Sequence, residues 1–333
     1  MKPWQGQNTL LYAASSICVD KIEGKGNGIL ALQAILPNTT LLVENLLIHW
    51  PQGKYNPVQA VCELATSDLV RAVDHLFPYT LESLPPQAET RISEQDVGRL
   101  ETLISDTSID QALPQVQITF DDRNTRLAEL RLLYLKLECN SFPTGLLPNL
   151  AYANHSCSPN SQVEVQDDGS YRLVSIKCIA RNEEVTICYL NLYQEPMLVN
   201  ERRRKLESQY LFTCMCVMCQ GGSREGVKCP LHYQDHLGII RNDVCDVRGC
   251  SVRTSKVDAK VEKLVVGARR AIAILVDSNH SDRHARKSSS SNPAGEKVVE
   301  ARQQLRHLKE RAKGLLEPNH FLFDILEYWL SAA

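Results

Sequence analysis

The chain has 333 residues, 43% of them hydrophobic and 23% charged, with a formal net charge of −2. That length allows two domains, or one large domain with an appendage, and the balanced charge favours neither nucleic acid nor an acidic membrane surface. The apolar runs are too short or too interrupted to span a bilayer, and the first residues carry no convincing signal peptide, so a soluble protein of the cytoplasm, the nucleus or both is expected.

From Ile17 to His49, apolar clusters separated by Gly and Pro read as short strands: ICVDKIE, GILALQAI and TLLVENLLI. From Asn56 to Leu137 the period becomes helical. PVQAVCELATSDLVRAVDHLF, SEQDVGRLETLI with Ser93 and Asp96 as a capping box, and TRLAELRLLYLKLE are the helices expected there. Short strands return in SQVEVQ, YRLVSIKCI and EVTICYL, with Asp167-Asp168-Gly169 as the hairpin turn between the first two. NERRRKLESQY is helical, and its basic run reads as a solvated face offset by neighbouring glutamates. Past Ser255 the chain reads as a helical appendage, interrupted by a polar, Ser-rich segment expected to be a mobile loop at about 278–295. The last helix, HFLFDILEYWL, is apolar enough that it must dock.

Twelve cysteines are present, six of them between Cys214 and Cys250. Cys214, Cys216 and Cys219 are spaced too tightly for a relaxed disulfide, but three thiolates at that spacing can converge on one metal ion. Three cysteines need a fourth ligand, and Cys157 is a candidate from far away in sequence. A second group, Cys229, His232, Cys245 and Cys250, has usable ligand types at irregular spacing, and is equally well read as loosely packed thiols. Two polar features stand out in apolar surroundings: the GKGNG turn at Gly24 to Gly28, whose glycines would let a ligand approach the backbone, and NHSC at Asn154 to Cys157. Tyr189 ends the strand after Glu183-Glu184, and Tyr210 lies just before the cysteine triad. Their hydroxyls are the ones assigned to a reacting centre.

These pieces together resemble a SET-domain protein lysine methyltransferase, most closely the SET and MYND (SMYD) branch. The matching stretches are GKGNGILALQAILPNTTLLVE, CNSF, LLPNLAYANHSCSPNSQV and EEVTICYLNLYQEPMLVNERRRKLESQYLFTCMCVMC. The resemblance implies a mostly β fold of small sheets around a pseudoknot, the β-clip, with inserted and appended helices and a post-SET zinc site. It places the SET portion at 15–50 and 139–193, a helical insertion at 51–138, the zinc segment at 194–225, a Cys-containing linker at 226–254 and the appendage at 255–333. It implies S-adenosylmethionine as cofactor, contacted by Lys25, Gly26, Asn27, Asn140, Ser141, Asn154 and His155, with Phe212 near the adenine. Phe142 and Tyr210 would belong to the lysine channel, Tyr189 would lie near the transferring methyl, and Cys157, Cys214, Cys216 and Cys219 would bind Zn2+. The implied partner is a protein bearing the target lysine, with no nucleic acid or membrane, and the chain is expected to be a monomer. Residues 51–138 contain a single cysteine, Cys62, so the MYND finger of that branch cannot form. The other reading of the same residues is a zinc-stabilised SET-fold scaffold without transfer activity.

Overall fold

The structure, a computed structural model, describes residues 9–50, 55–65, 68–81, 84, 88, 91–104, 123–220, 225–233, 239–241, 244–250, 252, 255–284 and 293–331. Two compact units divide the chain: Met1–Ile187 with Lys205–Thr213, and Cys188–Arg204 with Cys214–Ala333.

The first unit is built on small sheets. Strands β1 (Leu10–Ala13), β4 (Thr40–Glu44), β10 (Tyr171–Ser175) and β9 (Ser161–Val165) form one sheet in that order. Strands β2 (Ile17–Ile22), β3 (Gly26–Ala31), β11 (Glu184–Ile187) and β8 (Asn154–His155) form a second. A third joins β5 (Ile48–His49), β7 (Gly145–Leu146) and β6 (Ser141–Phe142). Strand β1 lies ahead of the first strand expected from the sequence. The β9–β10 hairpin turns at the expected residues, where Asp168 Oδ1 accepts the Ser170 N–H at 2.9 Å and its hydroxyl at 2.7 Å.

The insertion between β5 and β6 has a core of its own. Helices α1 (Pro57–Ala65), α2 (Glu94–Ile104) and α3 (Arg123–Asn140) bury Val61, Leu64, Leu100, Leu130, Leu135 and Leu137 together with Leu146 of β7. Their helical spacing gives each an apolar stripe, and burying those stripes offsets the entropy of ordering the segment. Ser93 caps α2 by accepting the Asp96 N–H at 3.1 Å, while the Asp96 carboxylate accepts the Ser93 hydroxyl at 2.9 Å. The cap therefore closes on the hydroxyl, and the same carboxylate also accepts the Tyr134 hydroxyl of α3 at 3.2 Å, fastening α2 to α3.

One buried carboxylate ties β4 to the turn that leads into NHSC. Glu44 is fully buried and accepts four donors: Thr9 Oγ1 at 3.0 Å, the Asn149 N–H at 3.0 Å, Asn149 Nδ2 at 2.6 Å and the Leu150 N–H at 2.9 Å. Burial holds the Glu44 carboxyl above its usual range, and the donors from Leu150, Asn149 and Thr9 offset only part of that rise.

In the second unit, Arg202 corrects the solvated-face reading of ERRRK. Helix α4 (Val199–Tyr210), along which the chain passes from one unit to the other, buries Arg202 completely. Its Nη1 donates to Glu225 Oε1 at 2.5 Å and the Met197 carbonyl at 2.7 Å, and its guanidinium lies 5.5 Å from the Phe321 ring centroid. A buried guanidinium is tolerable only with such partners. Helix α5 (Ser255–His284) continues well past the expected start of the mobile loop, and α6 begins at Pro293 (Pro293–Leu315). The remainder of that expected loop, 285–292, lies outside the described residues. Helix α7 (Phe321–Ser331) docks as its composition demands, burying Phe321, Leu322, Ile325, Leu326 and Trp329, with Trp329 Nε1 donating to the Tyr193 carbonyl at 2.6 Å. No described helix is long and apolar enough to cross a membrane.

Glu44→Gln puts an amide NH2 where donors already point. Losing acceptors for two or more buried N–H groups should cost about 2–4 kcal/mol. The expected result is a lower urea midpoint at unchanged slope; an unchanged midpoint would show that Glu44 does not hold the turn.

Candidate functional site

The site grows from a short parallel pairing. Asn154 sits opposite Thr186 and His155 opposite Ile187, so β8 runs beside β11 although residues 156–183 separate them. The Ser156 N–H continues the ladder to the Ile187 carbonyl at 2.9 Å. Two residues of ladder hold little by themselves, and Asn160 reinforces them. Its Nδ2 donates to Glu183 Oε1 at 3.1 Å and the Glu184 carbonyl at 2.8 Å, while its Oδ1 accepts the Thr186 N–H at 2.8 Å.

Asn154 is thereby aimed at the GKGNG hairpin. Its Nδ2 donates to the Asn27 carbonyl at 3.0 Å and to Glu184 Oε1 at 2.9 Å, committing both amide hydrogens. The group Asn154 can offer a ligand is its Oδ1 acceptor. The other Glu184 oxygen pairs with Lys25 Nζ at 2.5 Å. Glu184 is thus a hub the sequence reading missed, having used it only to locate Tyr189; the doubled glutamate opening β11 was the available signal.

The glycines of the hairpin allow close approach of neighbouring side chains. A Cβ on Gly28 would lie 2.5 Å from Ile22 Cγ1 and 2.7 Å from Asn154 Nδ2. One on Gly26 would lie 2.6 Å from the Tyr79 hydroxyl. At both positions a Cβ would meet the chain's own side chains, so these glycines admit Tyr79 and Asn154 close to the hairpin backbone. Tyr79 accepts the Asn27 N–H at 3.0 Å, and no local pattern marked it for this contact.

Residues 74–79 connect the hairpin with CNSF. The His75 carbonyl faces Asn27 Nδ2 at 3.5 Å, and the Phe77 carbonyl accepts Asn140 Nδ2 at 2.5 Å. Asn140 also donates to the Lys136 carbonyl, and the Ser141 hydroxyl donates to the Leu137 carbonyl, both closing the end of α3. Phe142 is half-buried in β6, opposite Gly145.

His155 is buried, with Nε2 3.2 Å from Cys157 Sγ and its ring centroid 6.0 Å from that of Phe212. Tyr210 ends α4 half-buried, two residues before Phe212. Tyr189 belongs to the second unit, two residues past the end of β11, and is half-buried.

The second unit also carries the thiols of Cys214, Cys216 and Cys219, whose sulfurs lie within 4.8 Å of one another. The Cys219 N–H donates to the Cys216 carbonyl at 2.8 Å, and Arg203 Nη2 donates to the Cys219 carbonyl at 2.9 Å, holding the loop curled. Arg202 Nη2 lies 3.5 Å from Cys219 Sγ. Such a set of soft donors suits Zn2+. Cys229, His232, Cys245 and Cys250 likewise bring their ligand atoms within 4.8 Å of one another. Burial would raise the Cys229 thiol, but the Leu231 and His232 N–H groups outweigh it and hold the thiol at about 7. None of the twelve cysteines is in a disulfide.

Residues 26–190 match the family model described as SET domain, and this part of the chain is a SET domain. Its sequence relatives lie in the SMYD branch. It is 31% identical to histone-lysine N-methyltransferase SMYD3 of Mus musculus over 175 residues, which cover 46% of this chain and 39% of that protein. It is 34% identical to protein-lysine N-methyltransferase SMYD4 of Homo sapiens over 114 residues, covering 34% and 12%. The chain thus spans well under half the length of these relatives. Among solved structures, Rubisco LSMT bound to sinefungin and monomethyllysine aligns with 14% identity and a TM-score of 0.39, covering 64% of this chain and 55% of that one.

Gly28→Ala must displace Ile22 or Asn154 and should cost about 1–3 kcal/mol, whereas Lys25→Ala removes a pair with a partly exposed lysine, worth at most about 1 kcal/mol. Denaturant unfolding of the two variants ranks them. The reverse order would refute the close-approach role of Gly28.

Proposed function

We propose that this chain transfers a methyl group from S-adenosylmethionine to the side-chain amine of a protein lysine. The observation that carries the reading is the β8–β11 pairing, which joins NHSC to EEVTI and places Asn154 between Glu184 and the Asn27 carbonyl inside a matched SET domain. The names of the relatives, protein-lysine and histone-lysine methyltransferases, point the same way.

The residues present fit the cofactor. An Asn154 side chain left with only its Oδ1 to offer suits an ammonium group, such as the amino-acid end of S-adenosylmethionine. His155 and Phe212, with ring centroids 6.0 Å apart, provide aromatic surface of the kind an adenine needs. When bound, the cofactor supplies an electrophilic methyl on a positively charged sulfur. Lys25, Gly26, Asn27, Asn140 and Ser141 are assigned to the same pocket by the family's pattern.

A lysine ammonium has no lone pair, and free lysine titrates near 10.4, so deprotonation at neutral pH costs about three pK units. An apolar channel lowers that pKa by disfavouring the charged form, as does a nearby cation. Tyr189 and Tyr210 are assigned to orient the neutral amine, with Phe142 as channel wall, and alignment of amine and methyl supplies much of the acceleration. The proton leaves to water, and no side chain is required as a dedicated base. Zn2+ is assigned by the family's pattern to Cys214, Cys216 and Cys219, with Cys157 as fourth ligand.

Titration calorimetry of the zinc-replete protein with S-adenosylmethionine should show one-to-one binding, weakened at least about tenfold in Asn154→Ala. Folded protein that binds no cofactor would favour the scaffold reading. Tyr189→Phe should keep cofactor affinity while slowing transfer of labelled methyl to a lysine-bearing protein about 10- to 100-fold; full transfer in that variant would remove Tyr189 from the reacting centre.

A further inference from the structure

The linker that the sequence left open between metal site and loose thiols is organised, within the second unit, as a three-stranded antiparallel sheet. Strands β12 (Val227–Lys228), β13 (Ile239–Arg241) and β14 (Val244–Cys245) pair in that order. Each is two or three residues long, and the sheet buries only Val227, Ile239 and Ile240 as apolar strand residues. A sheet that short and thinly packed is not stable on its own account.

Two tight turns at one end of this sheet bring four ligand atoms together. Cys229-Pro-Leu-His232 follows β12, and the Tyr233 N–H closes it onto the Cys229 carbonyl at 3.1 Å. The second turn runs from Cys245 to Cys250, with the Cys250 N–H donating to the Val247 carbonyl at 3.2 Å. It passes through Gly249 at φ +82°, a conformation that would strain a residue with a Cβ and that returns Cys250 toward Cys229.

The distances fit a tetrahedral metal site. Zn–S bonds of about 2.3 Å and Zn–N bonds of about 2.05 Å at tetrahedral angles require S···S of about 3.8 Å and S···N of about 3.6 Å. Cys229 Sγ lies 3.8 Å from Cys250 Sγ and 3.6 Å from His232 Nδ1. The sulfurs are too far apart for a disulfide bond, which needs about 2.05 Å.

We propose that Cys229, His232, Cys245 and Cys250 together bind one structural zinc ion that staples the β12–β13–β14 sheet. Three thiolates and one imidazole with no open position form a closed, non-catalytic site. The stapled sheet in turn anchors the end of α6. Glu317 is buried, accepts the Gly226 N–H at 2.8 Å and pairs with Arg241 of β13, and Lys228 Nζ donates to the Lys313 carbonyl at 2.6 Å. Binding energy at such a site is folding energy, so the ion stabilises this attachment as well as the sheet.

Zinc per chain is measured in the purified full chain and in variants, each compared with the unsubstituted protein so that the state of the Cys214 triad does not enter. Cys250→Ser and His232→Ala should each lose one equivalent and melt at lower temperature by helical circular dichroism. His232→Cys should keep the equivalent, and after cobalt substitution its thiolate-to-metal absorption should rise by about one third of the contribution of this site, as four thiolates replace three. Unchanged zinc in Cys250→Ser and His232→Ala, loss of the equivalent in His232→Cys, or a Cys229–Cys250 disulfide found by peptide mapping of non-reduced protein would overturn the assignment.

Discussion

The first unit depends on a parallel pairing only two residues long. Asn154 and His155 lie beside Thr186 and Ile187 because the chain leaves β8, builds the β9–β10 hairpin and returns along β11. So few ladder bonds cannot set the register alone, and a slip of one residue would turn Asn154 to the opposite face. Polar side chains hold the register instead. Asn160, five residues past β8's His155, fastens its segment to β11 through Glu183, Glu184 and Thr186, and Glu184 accepts Asn154. Behind them Glu44 fixes the Asn149–Leu150 turn that delivers the chain to β8. Each of these groups is satisfied by several partners, which is the condition under which buried polar networks specify one arrangement.

The same economy of short elements held by polar contacts recurs in the second unit. Arg202 is buried between Glu225, the Met197 carbonyl, Cys219 and the Phe321 ring, so one guanidinium gathers α4, the cysteine loop and the start of α7. Glu317 does the corresponding task between the β12–β13 edge and the end of α6. The α5–α6 pair follows a different logic: Val261, Leu264, Val265, Ala268, Ala271, Ile272 and Leu275 form an apolar stripe, with Ala301, Leu305, Leu308 and Ala312 on α6.

The helical insertion contributes directly to the surroundings of the GKGNG hairpin. Among the described residues of 57–140, α1, α2 and α3 share an apolar core, and the segment 74–79 reaches the GKGNG hairpin and the CNSF turn through its carbonyls and the Tyr79 hydroxyl. Contacts that position Asn27 and Asn140 therefore come from helices and their connections.

Local chemistry is what the sequence determined by itself. Helical period marked α1 to α7, Asp-Gly marked the β9–β10 turn, and the unusual grouping of Asn, His and Cys marked NHSC and the cysteine triad, because each of these signals lies within a few neighbouring residues. Tertiary structure alone decided which carboxylates matter. Glu184 meets Lys25 across 159 positions and Glu44 meets Asn149 across 105, distances over which no spacing rule applies. It also reversed one local reading, since Arg202 in a charged run is buried against Glu225, and it showed that Gly26 and Gly28 leave room for Tyr79 and Asn154. The Cys229–Cys250 cluster was ambiguous in sequence because its ligands come from turns at different strands. Only the pairing of those strands brings four ligand atoms to within 4.8 Å of one another.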